Sequence, residues 1–381
     1  MRQKVGKPSY ALLVFLTIFS LFLFYLAEKS QTPRKAAYYD QKIAAAELTK
    51  QAQGVIKDEL VRLGYVIDIQ NDPNMTGLIG PLSSLITTDR GYIRDKLIST
   101  NPNNSAVLID LFHRAKLQPG DHIAVMFTGS LPGMNIAVLA ACKIMELTPV
   151  IITSVGPSSW GANREKLTWL DMESLFVKSG LWPYKSVAAS LGGGNDHGRG
   201  ISPEGRNLLK EAINRNGAGL ISSISEELPL GSLEDNIEAR IEIFDMEKGD
   251  EEFKAVVNVG GGLAAVGSSQ NGRLIPPGYN ARLYERQLPA VGAINILADR
   301  LIPVIHLLQI TRFAEKYKLP VDITAEPKIG EGPVFVQEKY SIMTTIIYTL
   351  ILIVVLWAAI RVDFRYYIYR NKHLFVRKNI G

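Results

Sequence analysis

The sequence predicts an α/β fold held between two membrane helices. Three observations predict it. Short apolar runs alternate with segments of helical spacing, glycine- or serine-rich loops follow four of those runs, and an uncharged apolar stretch stands near each end of the chain. Strands that are apolar throughout belong to a parallel sheet buried on both faces, and the alternating helices supply its cover. The expected architecture is therefore a Rossmann-like parallel sheet with helices on both faces, flanked by an N-terminal and a C-terminal transmembrane helix.

The N-terminal stretch, 10–27, follows Arg2, Lys4 and Lys7 of residues 1–9. At about 1.5 Å of rise per residue it is long enough to cross the hydrocarbon core. It reads as an uncleaved anchor: the apolar region of a signal peptide is shorter, and cleavage after Ala27 would put Tyr25 where a small residue is required. Charge does not orient this helix, because Lys29, Arg34 and Lys35 flank its other end. The second stretch, 340–360, is followed by Arg361, Arg365, Arg370, Lys372, Arg377 and Lys378. That basic cluster keeps the tail, 361–381, in the cytoplasm. Two spans then put both termini inside the plasma membrane and the long middle segment outside it.

Residues 28–70 read as a juxtamembrane segment whose Ala36–Tyr65 portion is one long helix, weakened near Gly54. The extracytoplasmic α/β domain then occupies 71–338. It opens with a turn-rich stretch, Asn71 to Gly91, and continues through a helix at Ser105–Lys116 to a strand at His122–Phe127. The loop TGSLPG leads into a helix at Met134–Leu147, and a strand at Pro149–Thr153 leads into SVGPSSWG. A strand at Ser186–Ser190 precedes LGGGNDHGRG and a helix at Pro203–Asn214. A helix at Leu233–Met246 precedes a strand at Ala255–Val259, which ends in three glycines.

The net charge of +5 is a matter of topology. Residues 1–9 hold three basic groups, and residues 361–381 hold six with one acid; these segments sum to +8, leaving −3 elsewhere. This distribution excludes a broad nucleic-acid face and predicts no nucleic-acid partner. The tail's interleaved aromatics suit the headgroups of a lipid bilayer or a cytoplasmic partner. The single cysteine, Cys142, rules out an intrachain disulfide and reads as a small core hydrophobe.

In an open parallel sheet a ligand lies at the C-terminal ends of the strands, where backbone N–H groups and helix N-termini favour an anion. The four loops supply the candidate ligand-binding residues Thr128, Gly129, Ser130, Gly133, Ser158, Ser159, Trp160, Asn163, Asp171, Gly193, Gly194, Asn195, Arg199, Asn258, Gly260 and Gly261. Tight strand-to-helix turns are the plain alternative for each glycine. TGSLPG lacks the Lys-Ser/Thr pair of a P-loop and the spacing of a dinucleotide loop. Ser130 resembles a nucleophile elbow without its flanking glycines and reads as a helix N-cap or ligand contact, with a nucleophile as the alternative. Asp196 and His197, set between glycines, are the acid–base candidates and are expected to be exposed; a turn-forming Asp beside an incidental His is the bland reading. Arg199, Arg206 and Lys210 offer either a carboxylate-binding face or a solvated helix face. No His/Cys/Asp spacing indicates a metal, and no cofactor is expected.

Three segments, LQPGDHIAVMFTGSLPGMNIAVLAA, PVIITSVGPSSWGAN and TWLDME, together resemble the family called poly-γ-glutamate system protein. The resemblance implies two anchors and a place beside the ligase and membrane subunits that make and export poly-γ-glutamate. It implies a process and assigns no reaction. The expected function is an accessory protein whose external domain binds the polymer, a glutamate-like carboxylate or a partner subunit. An amidohydrolase using Ser130 or Asp196–His197 is the second expectation, and a sensor signalling through the long helix the third.

Overall fold

The computed structural model describes residues 10–221, 232–283, 288–322 and 325–361. Residues 1–9 and the basic cluster beyond Arg361 lie outside them. The chain divides into two units, one formed by both chain ends up to Lys35 and from Val336, the other by Ala36–Phe335.

In the first unit α1 (Tyr10–Lys29) and α13 (Ile342–Arg361) are long and apolar enough to cross a membrane. β1 (Gln31–Lys35) pairs antiparallel with β9 (Val336–Tyr340), Gln31 opposite Tyr340 and Lys35 opposite Val336. This ribbon joins the end of α1 to the start of α13, and Tyr340 Oη donates to Glu28 Oε1 at 2.5 Å.

The second unit is a mixed α/β body around a sheet of seven strands: β2 (His122–Thr128), β3 (Thr148–Ser154), β4 (Ser186–Ser190), β5 (Gly219–Leu220), β6 (Ala255–Val259), β7 (Gly278–Asn280) and β8 (Val304–Leu307). Their spatial order is β5-β4-β3-β2-β6-β8-β7, parallel except for the β7 edge. The chain builds outward from β2 to β5, then returns to the other side of β2 with β6. The order therefore reverses between β2 and β6, where two diverging loops leave a crevice. The five longer strands are buried over most of their length and largely apolar, as a doubly covered parallel sheet requires.

The helices are α2 (Tyr39–Arg62), α3 (Ile93–Ser99), α4 (Asn104–Arg114), α5 (Pro132–Ile144), α6 (Trp169–Lys178), α7 (Pro203–Asn216), α8 (Leu233–Glu247), α9 (Leu263–Val266), α10 (Ser269–Leu274), α11 (Ala293–Ala298) and α12 (Ile310–Lys316). Ile237 and Phe244 of α8, Ala264 of α9 and Leu297 of α11 pack with Ala124, Met126, Ile152 and Val256 on one sheet face. On the alternate face Phe127 meets Trp169 of α6 edge-on at 5.6 Å. Each such fully buried Phe, Ile or Val contributes roughly 1.5–3 kcal/mol. Cys142 is buried within α5.

The helix read as a juxtamembrane segment forms a layer of this body. α2 buries Ala45, Ala46, Ala52, Ile56 and Leu60 and packs against α4 and α5. Lys42 in the same stripe donates to the Val334 carbonyl at 3.0 Å and pairs with Asp110 at 2.7 Å. The helix runs unbroken through Gly54, beside which a Cβ would meet nothing within 4 Å. Gly133, at the start of α5, is the opposite case: a Cβ there would lie 2.6 Å from the Ser99 carbonyl oxygen and 2.9 Å from Thr100 Cα. Its role is close packing on the chain end of α3.

Thermal unfolding of the full chain in detergent separates these two glycines. Gly54→Ala raises stability by about 0.5–1 kcal/mol, because it removes freedom from the unfolded chain at no steric cost. Gly133→Ala lowers it by about 1–3 kcal/mol, because backbone must move.

Candidate functional site

At the C-terminal ends of the parallel strands lies a cleft of about 390 Å³, within the size range of small-ligand sites. The end of β2 and the loop after it contribute Thr128, Ser130 and Leu131; the end of β3 and its loop contribute Ser154, Gly156 and Ser158. Gly192, Gly193 and Gly194 come from the loop after β4, and Gly260, Gly261 and Gly262 from the loop after β6. All four loops noted in the sequence thus reach one site. The remaining lining comes from the segment Thr88–Lys96, of which only the part up to Gly91 falls in the expected turn-rich stretch, and from α9, α10 and residues 308–310.

Close backbone approach explains several glycines. Gly260 has φ 92°, and a Cβ there would lie 2.2 Å from Thr128 Oγ1. Only glycine lets the two loops meet at the reversal point. Gly129 lies outside the cleft lining; a Cβ there would be 2.3 Å from the Val155 carbonyl oxygen. It seats the loop after β2 against the loop after β3. Asn258 is also a positioning residue: its Nδ2 donates to the Gly260 carbonyl at 2.9 Å and to His306 Nδ1 at 3.1 Å. His306 Nε2 in turn donates to the Gly272 carbonyl at 3.0 Å. Burial pushes this imidazole down to about 4, so it stays neutral and fixes α10 beside the Gly260 loop.

Trp160 and Asn163 fasten the wall rather than line the cleft. Trp160 exchanges main-chain bonds with Gly80 and Pro81, while Asn163 Nδ2 donates to the Pro81 carbonyl at 2.8 Å and Thr87 Oγ1 at 3.0 Å. Ser159 N–H donates to the Asp89 carbonyl at 2.9 Å and Thr88 N–H to the Pro157 carbonyl at 2.8 Å. The segment SSWGAN is thus a clasp on residues 80–91. Asp171 stands away from the cleft: it accepts from the Thr168 N–H at 2.8 Å and takes a two-pronged bond from Arg215 at 2.8 and 2.6 Å.

The acid–base candidates are not exposed. Asp196 is 1% and His197 3% accessible. Asn195 and Asp196 take positive φ, 53° and 63°, and the turn folds the carboxylate inward. Asp196 Oδ2 accepts from Arg240 Nη2 at 2.6 Å, and Oδ1 accepts from Ser154 Oγ at 2.8 Å. Arg240 also donates to Ser190 Oγ at 2.7 Å. Asn236 of α8 donates to the Asn195 carbonyl and to His197 Nε2, each at 3.0 Å. Arg199 is exposed outside the cleft lining, and Arg206 donates to the Ile201 carbonyl at 2.6 Å.

Ser130 is not the helix N-cap, a place Leu131 takes. Its Oγ accepts from the Ser158 N–H at 3.0 Å, joining two loops. Below them lies Lys96 of α3, 4% exposed, whose Nζ donates to the Ser130 carbonyl and to Ser158 Oγ, the latter at 2.7 Å. Burial drives this amine down to about 7, against a smaller opposing pull from Asp95. Asp89, Arg90, Asp95 and Arg273 complete the charged lining, two acids against two bases beside Lys96. Lys96 carried no sequence signal, because its oxygen partners lie 34 and 62 residues away.

Two measurements test this framework. Unfolding of the full chain by denaturant gains stability as pH rises from about 7 to 10.5, since the unfolded state holds a Lys96 proton the native state has shed. Lys96→Met removes that rise, whose size is on the order of a few kcal/mol. Arg240→Met leaves Asp196 buried without its partner and costs about 3–5 kcal/mol, read in the same assay. Compared with protein-family models, curated proteins and solved structures, the chain matches none.

Proposed function

We propose that this chain is a membrane-anchored accessory component of poly-γ-glutamate synthesis or export. Its α/β unit, with a Rossmann-like sheet, binds a carboxylate-bearing ligand in the cleft: the polymer, a glutamate-like unit, or an acidic segment of a membrane subunit of the synthase. The observation that carries this reading is the convergence of four glycine- and serine-rich loops on one cleft at the strand-order reversal. Main chain exposed at glycines favours an anion there, and Arg90 and Arg273, offset in net charge by Asp89 and Asp95, supply guanidinium donors in the lining. The likeness of TGSLPG, PSSWGAN and TWLDME to the poly-γ-glutamate system proteins supplies the polymer.

In this reading α1 and α13 cross the plasma membrane and the α/β unit is extracytoplasmic. The basic residues after 360 in the sequence hold that end in the cytoplasm. The external region's net charge of −3, left when the basic ends are set apart, disfavours an extended polyanion track. It suits a pocket that grips one or two carboxylates.

Gly261 supplies the test. It lines the cleft, and a Cβ there would meet nothing nearer than Leu308 at 3.8 Å. Gly261→Leu therefore fills the cleft without backbone strain. Binding of fluorescent poly-γ-glutamate to the full chain in nanodiscs is expected to be saturable in the parent and weakened about tenfold or more in the variant, with unchanged thermal unfolding. Equal binding by both would remove the cleft from the reading.

A further inference from the structure

The pair at the floor of the cleft has the geometry of a nucleophile and its base. Ser158 is half-buried and lines the cleft, with its Oγ 2.7 Å from Lys96 Nζ. Its position is fixed on both sides: its own N–H is held by Ser130 Oγ at 3.0 Å, and the next N–H by the Asp89 carbonyl at 2.9 Å. Lys96 meets a carbonyl and a hydroxyl, and among the described residues it makes no ion pair. Asp95, its neighbour in α3, is turned away to Thr311, whose hydroxyl and N–H donate to Oδ1 at 2.6 and 3.0 Å. Gly91 packs closely beside the pair: a Cβ there would lie 2.7 Å from the Ser159 carbonyl oxygen, 3.0 Å from Lys96 Cε and 3.1 Å from Ser158 Oγ.

We propose that Ser158 and Lys96 form a serine–lysine acyl-transfer centre acting on an amide or ester carbonyl bound in the cleft, such as the γ-amide of a glutamate polymer. This rests on the reading of the cleft as a ligand site. As Ser158 Oγ bonds to the carbonyl carbon, its proton passes to the neutral Lys96 amine. The resulting oxyanion is stabilised by main-chain N–H groups of the glycine positions that line the cleft. Collapse breaks the carbon–nitrogen or carbon–oxygen bond, and the proton on Nζ leaves with the amine or alcohol. Water then attacks the acyl-Ser158, giving a proton to Nζ. Its return to Oγ releases the carboxylic acid and restores the pair. Ser130 is a positioning residue, since its hydroxyl holds the Ser158 N–H while Lys96 takes only its carbonyl.

The charged groups that line the cleft with the amine are Asp89, Arg90, Asp95 and Arg273. Burial outweighs the pull of Asp95 and places the amine near 7, so an unprotonated base is available at neutral pH.

The test uses the full chain in nanodiscs and a fluorophosphonate probe, with the labelled residue mapped by mass spectrometry. Labelling is expected at Ser158, at a rate that rises through pH 7 in the unsubstituted chain. Ser158→Ala abolishes it, and Lys96→Met slows it at least about 100-fold. Ser130→Ala weakens it while keeping the pH profile. Parallel incubation with poly-γ-glutamate is expected to shorten the polymer in the parent and not in Ser158→Ala. Absence of labelling at Ser158, or labelling with no dependence on Lys96 or pH, overturns the proposal. If the polymer still binds and Gly261→Leu still weakens it, the failure belongs to the chemistry alone. If Gly261→Leu leaves polymer binding unchanged, the cleft reading fails with it.

Discussion

The buried Arg240–Asp196 ion pair fixes the geometry on which the cleft depends. One guanidinium nitrogen joins Ser154 at the end of β3, Ser190 at the end of β4, and the carboxylate of the loop beyond β4. Both side chains are almost wholly inaccessible, so their desolvation must be repaid by the pair and its hydroxyl partners together. The arrangement clamps two strand ends to α8 and holds Gly192–Gly194 at the cleft edge. An apolar filling of equal volume would stabilise the fold as well, but would not set the angle of a glycine loop.

On the other side of β2 the equivalent task falls to neutral groups. Asn258 and His306 pass a chain of hydrogen bonds from the Gly260 carbonyl to Gly272. A neutral imidazole suits that place, since Nε2 must donate to a carbonyl while Nδ1 accepts from an amide. The two halves of the crevice are thus braced differently, by charge on the β3–β4 side and by an amide–imidazole relay on the β6–β8 side. Thr128 and Gly260 meet between them.

The sheet was legible where runs such as HIAVMFT and AVVNV are predominantly apolar, and those strands stand within a residue of the expected bounds. Edge strands of two and three residues, and β8 with its central histidine, have too little periodicity to read. The four loops were legible as strand-end turns, but their division of labour was not. Thr128, Ser130, Ser158, Gly193, Gly194, Gly260 and Gly261 line the cleft, whereas Gly129, Gly133, Asn163 and Asn258 hold the structure that does. Asp196 and His197 misled because flanking glycines mark a sharp turn, and a sharp turn can carry a polar side chain inward as readily as outward. The wall at Thr88–Lys96 was not legible because its first half has the composition of any turn, its second half belongs to the short helix α3, and its partners are distant in sequence.

Energetics single out Lys96 among the buried cations. Of the basic side chains buried in the described residues, Lys42 reaches Asp110 and Arg240 reaches Asp196. Lys96 meets only uncharged oxygens there. A fold selected for stability alone would pair this amine, or replace it with a methionine of similar reach, since an uncompensated buried ammonium is costly. The nearest carboxylate in sequence, Asp95, is committed to Thr311, which leaves the amine free of a strong partner. A cost retained at the floor of a glycine-lined cleft, with a hydroxyl 2.7 Å away, is what a poised base requires and what packing does not.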